Sequence, residues 1–254
     1  MSKRRLDLLL VERGLVSSRE KAQGLILSGN VLVNDEPMTK PGQSFLESVT
    51  IRVRGVDHPY VSRGGIKLAA ALDTFQIDVQ GKIGLDIGAS TGGFTHVLLL
   101  RGITKVHAID VGHNQLDWKI RKDPRVVVKE KINARALEFN QVGEQVDIIV
   151  VDVSFISLAK ILPALIQFAK PSTDWVTLIK PQFEVGKEKV GKNGIVTSEV
   201  DRLEIVQTLT ETGKSLGLKR LGLLESPITG TEGNKEFLAH WKLEKTGSIE
   251  AGSL

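Results

Sequence analysis

Ile83 to Phe94 reads IGLDIGASTGGF, an apolar run that turns abruptly into glycine-rich sequence. Ile83 to Ile87 has the composition of a buried strand, and Gly93 opens a helical pattern that continues to Arg101. Gly88, Gly92 and Gly93 permit a sharp turn and a close approach of backbone to a ligand, because no Cβ stands in the way. About twenty residues on, the next apolar run, Lys105 to Asp110, closes on an acid, where a ribose-binding carboxylate falls in a strand–turn–helix–strand unit. A tight structural connection would need the glycines but not the acid. Together they read as a nucleotide-cofactor site.

The residues also narrow the cofactor. A dinucleotide turn has the form G-x-G-x-x-G, and from Gly88 the middle glycine is replaced by Ser90, which disfavours a pyrophosphate. No G-x-x-x-x-G-K-[ST] stretch supports a nucleotide hydrolase. S-adenosylmethionine fits better: it has no phosphate, its ammonium and sulfonium suit an acid such as Asp86, and its ribose hydroxyls suit Asp110. The expected cofactor contacts are Asp86, Gly88, Ala89, Ser90, Thr91, Gly92, Gly93, Phe94, Asp110 and Asn133.

With 254 residues, 41% of them hydrophobic and 25% charged, the chain has room for a small and a large domain of ordinary globular composition. No run approaches the roughly 18 apolar residues of a membrane span, and Met1 to Arg5 leads into a patterned helix rather than a signal core, so a cytoplasmic protein is expected. The absence of cysteine excludes disulfides and thiolate metal sites. The five histidines show no H-x-x-x-H pairing, so no metal is expected. A net charge of +4 leans toward a polyanionic partner.

That charge is concentrated at one end. Lys3, Arg4, Arg5, Arg13, Arg19 and Lys21 stand against Asp7, Glu12 and Glu20. Leu6, Leu9 and Leu10 make a helical stripe stopped by Gly14, and Ser17 with Glu20 predicts a capping box for a second helix carrying Ala22, Leu25 and Ile26. Val31 and Val33, then Val49, Ile51 and Val53, alternate as strands around turns at Asn34-Asp35 and Pro41-Gly42. Arg4, Arg5, Arg19 and Lys21 are the candidate phosphate contacts of this unit, suited to an A-form RNA read by shape and backbone. Pattern breaks at Gly55 and Pro59 predict a small domain over 1–57, a linker over 58–62, a large domain over 63–245 and a tail over 246–254.

The large domain alternates strands and helices as an α/β parallel sheet covered on both faces. The expected strands are Ile83 to Ile87, Lys105 to Asp110, Arg125 to Lys129, Val146 to Asp152, Trp175 to Lys180, Leu218 to Glu225 and Phe237 to Leu243. The expected helices include Gly65 to Leu72, Gly93 to Arg101, Ser157 to Ala169 and Ser198 to Leu216. Ligands of such sheets sit at the carboxyl ends of the strands. Asp86, Asp110, Asp152 in VDIIVVD and Lys180 in VTLIK all fall there, and opposite charges at neighbouring strand ends suggest chemistry. By pattern alone, Lys67 in SRGGIKL reads equally as a surface helix lysine and Glu236 in EGNKEF as a strand-edge acid.

Two family resemblances extend this reading. Arg5-Leu6-Asp7, Ser18-Arg19-Glu20-Lys21-Ala22 and Gly29-Asn30-Val31-Leu32-Val33-Asn34 resemble the small RNA-binding domain first known from small-subunit ribosomal protein four. Ser62 to Leu243 resembles the FtsJ-type ribose 2′-O-methyltransferases. With SRGGIKL, LDIGASTGGFT, VVDVSFIS and LIKPQFE in order behind a basic domain, the whole chain resembles the TlyA family, historically called hemolysin A.

The resemblance implies a Rossmann-like methyltransferase domain that uses S-adenosylmethionine to methylate cytidine ribose in ribosomal RNA or ribosomal subunits. It also implies a Lys-Asp-Lys-Glu tetrad at Lys67, Asp152, Lys180 and Glu236, the short EGNKEF match admitting Glu232 for the last. Where some relatives carry Arg-Ala-Trp-Val between the domains, this chain has His58-Pro59-Tyr60-Val61. In the implied chemistry Lys180 is the general base, its ammonium disfavoured by Lys67 and by burial. Lys187, Lys189 and Lys192, in the glycine-rich loop from Phe183 to Ile195, are expected on RNA phosphate. A base-nitrogen or protein acceptor would call for an N-P-P-Y-like or cysteine site, and the chain has neither. The alternative is a hemolysin-like or RNA-binding protein with a vestigial methyltransferase fold.

Overall fold

The computed structural model describes residues 3–16, 18–53, 58–186, 189–191, 194–230 and 233–244. Its contacts divide the chain into two compact units, Met1–His58 and Pro59–Leu254.

The first unit runs β1 (Lys3–Arg5), α1 (Leu6–Glu12), α2 (Arg19–Leu27), β2 (Val31–Val33), β3 (Glu36–Met38), β4 (Ser44–Leu46) and β5 (Ile51–Val53). β2 lies between β3 and β5 in an antiparallel sheet, and β1 pairs with β4. Leu6, Leu10, Ala22, Ile26, Val31 and Val33 form the core, so the leucine stripe and the alternating valines meet. Asn34 and Asp35 both take positive φ, 51° and 68°, the backbone a tight two-residue hairpin needs between β2 and β3. The cap of α2 differs from the expected Ser17 box. Ser18 is extended and its hydroxyl accepts from Lys21 N at 3.3 Å, whereas Ser17 lies outside the described residues. β1 carried no sequence signal because all three of its residues are exposed.

The second unit runs α3 (Gly64–Thr74), β6 (Ile83–Ile87), α4 (Gly93–Leu100), β7 (Lys105–Ile109), α5 (Trp118–Arg121), β8 (Val126–Lys129), α6 (Phe139–Val142), β9 (Val146–Val151), α7 (Leu162–Leu165), β10 (Ala169–Ile179), α8 (Glu199–Ser215), β11 (Leu218–Glu225) and β12 (Phe237–Leu243). Seven strands form one sheet in the order β11-β12-β10-β9-β6-β7-β8. Leu68 and Leu72 of α3, Val97 and Leu98 of α4 and Ile120 of α5 pack in one core. Val142 of α6, Leu162 and Leu165 of α7 and Ile205 and Leu209 of α8 belong to the other. The strand order reverses between β6 and β9, which opens a crevice at their carboxyl ends.

Three expectations are corrected. The five strands from β8 to β10 are parallel, but β12 runs antiparallel to β10 and β11 antiparallel to β12. β11 and β12 are joined by the short segment 226–236, and a connection of that length suits antiparallel neighbours. The helix expected over Ser157 to Ala169 is broken into the turn Leu158–Lys160, α7 and the turn Ile166–Phe168, with Pro163 lacking the donor a continuous helix would use. Residues 59–62, expected in the linker, pack on the second unit: Val61 N donates to His96 Nδ1 at 3.1 Å, and Tyr60 and Val61 join the α3–α4 core.

Candidate active site

The glycine-rich turn is fixed from three sides. Gly88 N and Ala89 N donate to Ile109 O at 2.9 and 3.1 Å, which ties the turn to the end of β7. Gly88 has φ +81°, and a Cβ there would collide with the carbonyl oxygen of Asp152, brought over it by the Asp152 N to Ile87 O bond of 2.9 Å. Ser90 also has positive φ, 47°, and its N donates to Asp110 Oδ2 at 2.7 Å. Gly112 N donates to the other oxygen of Asp110 at 2.6 Å. The acid therefore positions the turn as well as ending the strand. At the start of α4, Gly93 faces Ser62 Oγ and Gly65 N with no room for a methyl, so the opening of α3 rests directly on the turn.

Asp86 is buried beneath the turn rather than on a cleft wall. Its Oδ2 accepts from Thr95 Oγ1 at 2.6 Å, and Oδ1 has no hydrogen-bond partner. Burial, opposed by the Thr95 bond and reinforced by the charge of Asp152, pushes its carboxyl up to about 7. Asn133 is exposed and its Oδ1 accepts from Arg135 N at 3.1 Å; it stays near Asp110 because Ile132 N donates to Asp110 O at 3.0 Å.

A cleft of about 440 Å³ opens above the turn, lined by Ser62, Arg63, Gly64, Lys67, Gly88, Ala89, Ser90, Thr91, Gly93, Phe94 and Asp152. Sequence reasoning missed Ser62, Arg63 and Gly64, although they belong to the SRGG stretch that carries Lys67.

Four charged residues from separate elements make two ion pairs here. Lys67, only 8% exposed in α3, pairs with Glu236, 2% exposed just before β12. Lys180 and Asp152 follow the neighbouring parallel strands β10 and β9, with Lys180 Nζ 2.6 Å from Asp152 Oδ1. That is a contact of charges rather than an aligned hydrogen bond, and the ammonium donates instead to Ser154 Oγ at 2.9 Å. The expected repulsion between the two lysines is offset, since each has its own carboxylate. Glu236 is held by Ser226 N, which donates to its carbonyl at 2.8 Å, and by Gly230, where a Cβ would overlap its carboxylate. Glu232 lies outside the described residues.

The loops after β9 and β10 carry further features. Phe155 is 90% exposed and has φ +64°, an uncommon backbone for an aromatic residue, with its ring 5.0 Å from that of Phe183. Glu184 Oε1 accepts from Leu158 N at 2.8 Å and so ties the two loops together, with burial pushing its carboxyl up. Both residues lie inside stretches that carry the family resemblance, VVDVSFIS and LIKPQFE, although sequence reasoning missed them.

The basic candidates are mostly ion-paired. In the first unit Asp7 is buried and accepts from Arg5 Nε and Nη2 at 3.0 and 2.9 Å, from Arg19 Nε at 2.9 Å and from Gln23 Nε2 at 3.0 Å. The Arg5 bonds hold its carboxyl well below the usual range against the cost of burial. Arg4 pairs with Glu12 and Glu47, and Lys21 is exposed. In the second unit Lys189 bridges Asp201 and Glu204, both at 2.9 Å, while Lys187 and Lys192 lie outside the described residues. Among the described residues no group of acids and histidines could hold a metal, and no helix is long and apolar enough to cross a membrane.

A glycine turn at the switch point of this sheet, with charged residues gathered from four strand and helix ends, defines the class: an FtsJ-like methyltransferase domain, whose family matches residues 60–243, with an S4 domain matching residues 4–50. The 16S/23S rRNA (cytidine-2′-O)-methyltransferase TlyA of Mycobacterium tuberculosis is 43% identical over 251 residues, covering 98% of this chain and 94% of its own. The chain belongs to the TlyA family. A solved Streptococcus thermophilus chain named for hemolysin superposes with a TM-score of 0.76 at 42% identity, covering 96% of this chain and 90% of that one. A Listeria monocytogenes chain named for S-adenosylmethionine-dependent methyl transfer shares the fold at 16% identity, with a TM-score of 0.54 over 72% of this chain and 100% of its own.

Proposed function

We propose that this protein transfers a methyl group from S-adenosylmethionine to the 2′-hydroxyl of a cytidine in ribosomal RNA, with Lys67, Asp152, Lys180 and Glu236 as its catalytic residues. The observation that carries the reading is the meeting of two lysine–carboxylate pairs beside the cleft over the glycine turn.

The residues fit the cofactor. Asp110 accepts one N–H on each oxygen and keeps lone pairs for ribose hydroxyls. Asp152 on the wall turns a carboxylate toward the space above the turn, where a cation can sit. S-adenosylmethionine supplies an electrophilic methyl on sulfur. The protein's own task is to orient the acceptor oxygen and remove its proton. Lys180, in its amine form, accepts that proton, and Asp152 beside it receives the new ammonium. Lys67, fixed by Glu236, directs the hydroxyl toward the methyl. Phe155 offers an open ring face to the target base at negligible side-chain reorganisation, because its backbone is already turned outward. Arg4, Arg5, Arg19 and Lys21 in the S4 domain, with Lys187, Lys189 and Lys192, hold RNA phosphates in this reading, which places the protein in the cytoplasm with ribosomes.

The test is methyl transfer from labelled S-adenosylmethionine to purified small and large ribosomal subunits lacking the modification, with label mapped to ribose or base. Label on a cytidine ribose supports the reading. Label on a base overturns the ribose acceptor, and no label on either subunit with cofactor binding intact overturns the reading and favours the hemolysin-like or RNA-binding alternative.

A further inference from the structure

The cleft wall carries three charged side chains, and two of them are already matched: Lys67 by Glu236 and Asp152 by Lys180. The third, Arg63, is exposed and has no carboxylate partner among the described residues. Of the charged side chains that line this cleft, the Arg63 guanidinium is the one left without an ionic partner among the described residues. A guanidinium is an always-charged planar donor suited to bidentate contact with an oxyanion.

Its position is set by the helix. Arg63 has helical backbone angles, φ −57° and ψ −23°, and its carbonyl accepts from Ile66 N at 3.1 Å, so it begins the first turn of α3. Lys67 follows four residues later, on the same side of the helix and about one 5.4 Å turn away. In a nucleotide, the carbon bearing the 2′-hydroxyl is bonded to the carbon bearing the 3′-phosphodiester. An acceptor oxygen held at Lys67 therefore brings a phosphate within one helical turn of it, the interval that separates Lys67 from Arg63. The SRGG backbone cannot drift, because Ser62 and Gly65 are pressed against Gly93.

We propose that Arg63 binds the 3′-phosphodiester of the nucleotide being methylated, so that one turn of α3 measures the spacing between the reacting hydroxyl and its neighbouring phosphate. This rests on the 2′-hydroxyl acceptor proposed above. Contacts of this kind fix the register of a nucleic acid without reading its sequence. The same guanidinium would suit the carboxylate of the cofactor, and the two ligands differ in what a substitution at Arg63 alters.

Full-length wild type, Arg63→Ala and Arg63→Lys are compared in two titrations: S-adenosylmethionine by calorimetry, and unmodified ribosomal subunits from about 50 to 200 mM salt. The expected result for Arg63→Ala is unchanged cofactor affinity, about tenfold weaker subunit binding, and a log–log salt slope shallower by about 0.7 to 0.9. Arg63→Lys keeps the slope and recovers part of the affinity. Weaker cofactor binding with an unaltered salt slope assigns Arg63 to the cofactor carboxylate and overturns the proposal, as does no change in either titration. Turnover is scored separately. If wild type binds subunits but transfers no methyl while Arg63→Ala still flattens the slope, the acceptor reading fails and the phosphate contact stands.

Discussion

Lys180 and Asp152 follow adjacent parallel strands and meet with Nζ 2.6 Å from Oδ1, although 28 positions separate them in the chain. The parallel pairing of β9 and β10 brings both strand ends to the same edge of the sheet, and Ser154 holds the ammonium there. Lys180→Ala should fold and bind S-adenosylmethionine with near wild-type affinity, yet lose at least about 100-fold in turnover, the usual share of a general base. Single-turnover methylation alongside calorimetry checks this, and wild-type turnover would sink the assignment.

Gly88→Ala should damage the site through the backbone. Its φ of +81° costs an alanine about 1–2 kcal/mol, and the new methyl would press on the Asp152 carbonyl. The expected outcome is a lower Tm together with weakened cofactor binding. A variant with unchanged Tm and affinity would show that the turn has room it does not display.

Asp86 gives a pH signature of defined sign. Its carboxyl is raised to about 7 in the folded protein and is near 4 when unfolded. The native state therefore holds an extra proton between these values, and this contribution to stability is fully present below about pH 4 and lost as pH rises toward 7. Asp86→Asn, which cannot ionise, should gain on wild type across that window, by roughly 2–4 kcal/mol in total, and the difference should level above pH 7. Thermal denaturation of both proteins from pH 4 to 8 tests it; a pH-independent difference would be the contrary result.

Phe155→Gly should separate stability from activity. Glycine relieves the strain of φ +64°, so Tm should hold or rise, while removal of the ring should raise KM for the subunit with cofactor affinity unchanged. An equal fall in Tm and turnover would mean that the Phe155–Phe183 contact is structural instead.

Asp7→Ala should loosen the S4 unit alone. It strips the shared acceptor from Arg5, Arg19 and Gln23, and because both arginines are about half exposed the expected loss is about 1–3 kcal/mol rather than that of a fully buried pair. The Asp7 carboxyl is depressed in the fold, so its contribution is present above about pH 4 and is lost on acidification below it. Hydrogen exchange should speed up within residues 3–53 and stay unchanged in the large sheet.

Much of this was legible in the sequence because the central strands of the large sheet are apolar runs and its edge strand β11 alternates. β6, β11 and β12 carry the bounds their composition implies, and strand ends mark where side chains enter a crevice. What escaped the sequence depends on contacts between distant segments. Nothing near Lys67 announces Glu236, 169 residues away. Asp86 reads as a cofactor contact by position, yet Thr95 draws it under the turn. Arg5 and Arg19 look free in sequence, yet both bond Asp7, two residues from the first and twelve from the second. Phe155 lies in the VVDVSFIS stretch, but its exposure and its positive φ show only in the structure.

The separation of Lys67 from Glu236 also has a consequence for how the protein is made. Domains tend to form in order of synthesis, and contacts between remote segments are the slowest to close. While the chain is still being translated, the turn, Asp152 and Lys180 can already be in place, but Lys67 has no carboxylate until the segment ahead of β12 emerges and docks beside β10. The Lys67–Glu236 pair is thereby among the last contacts of the large sheet to close.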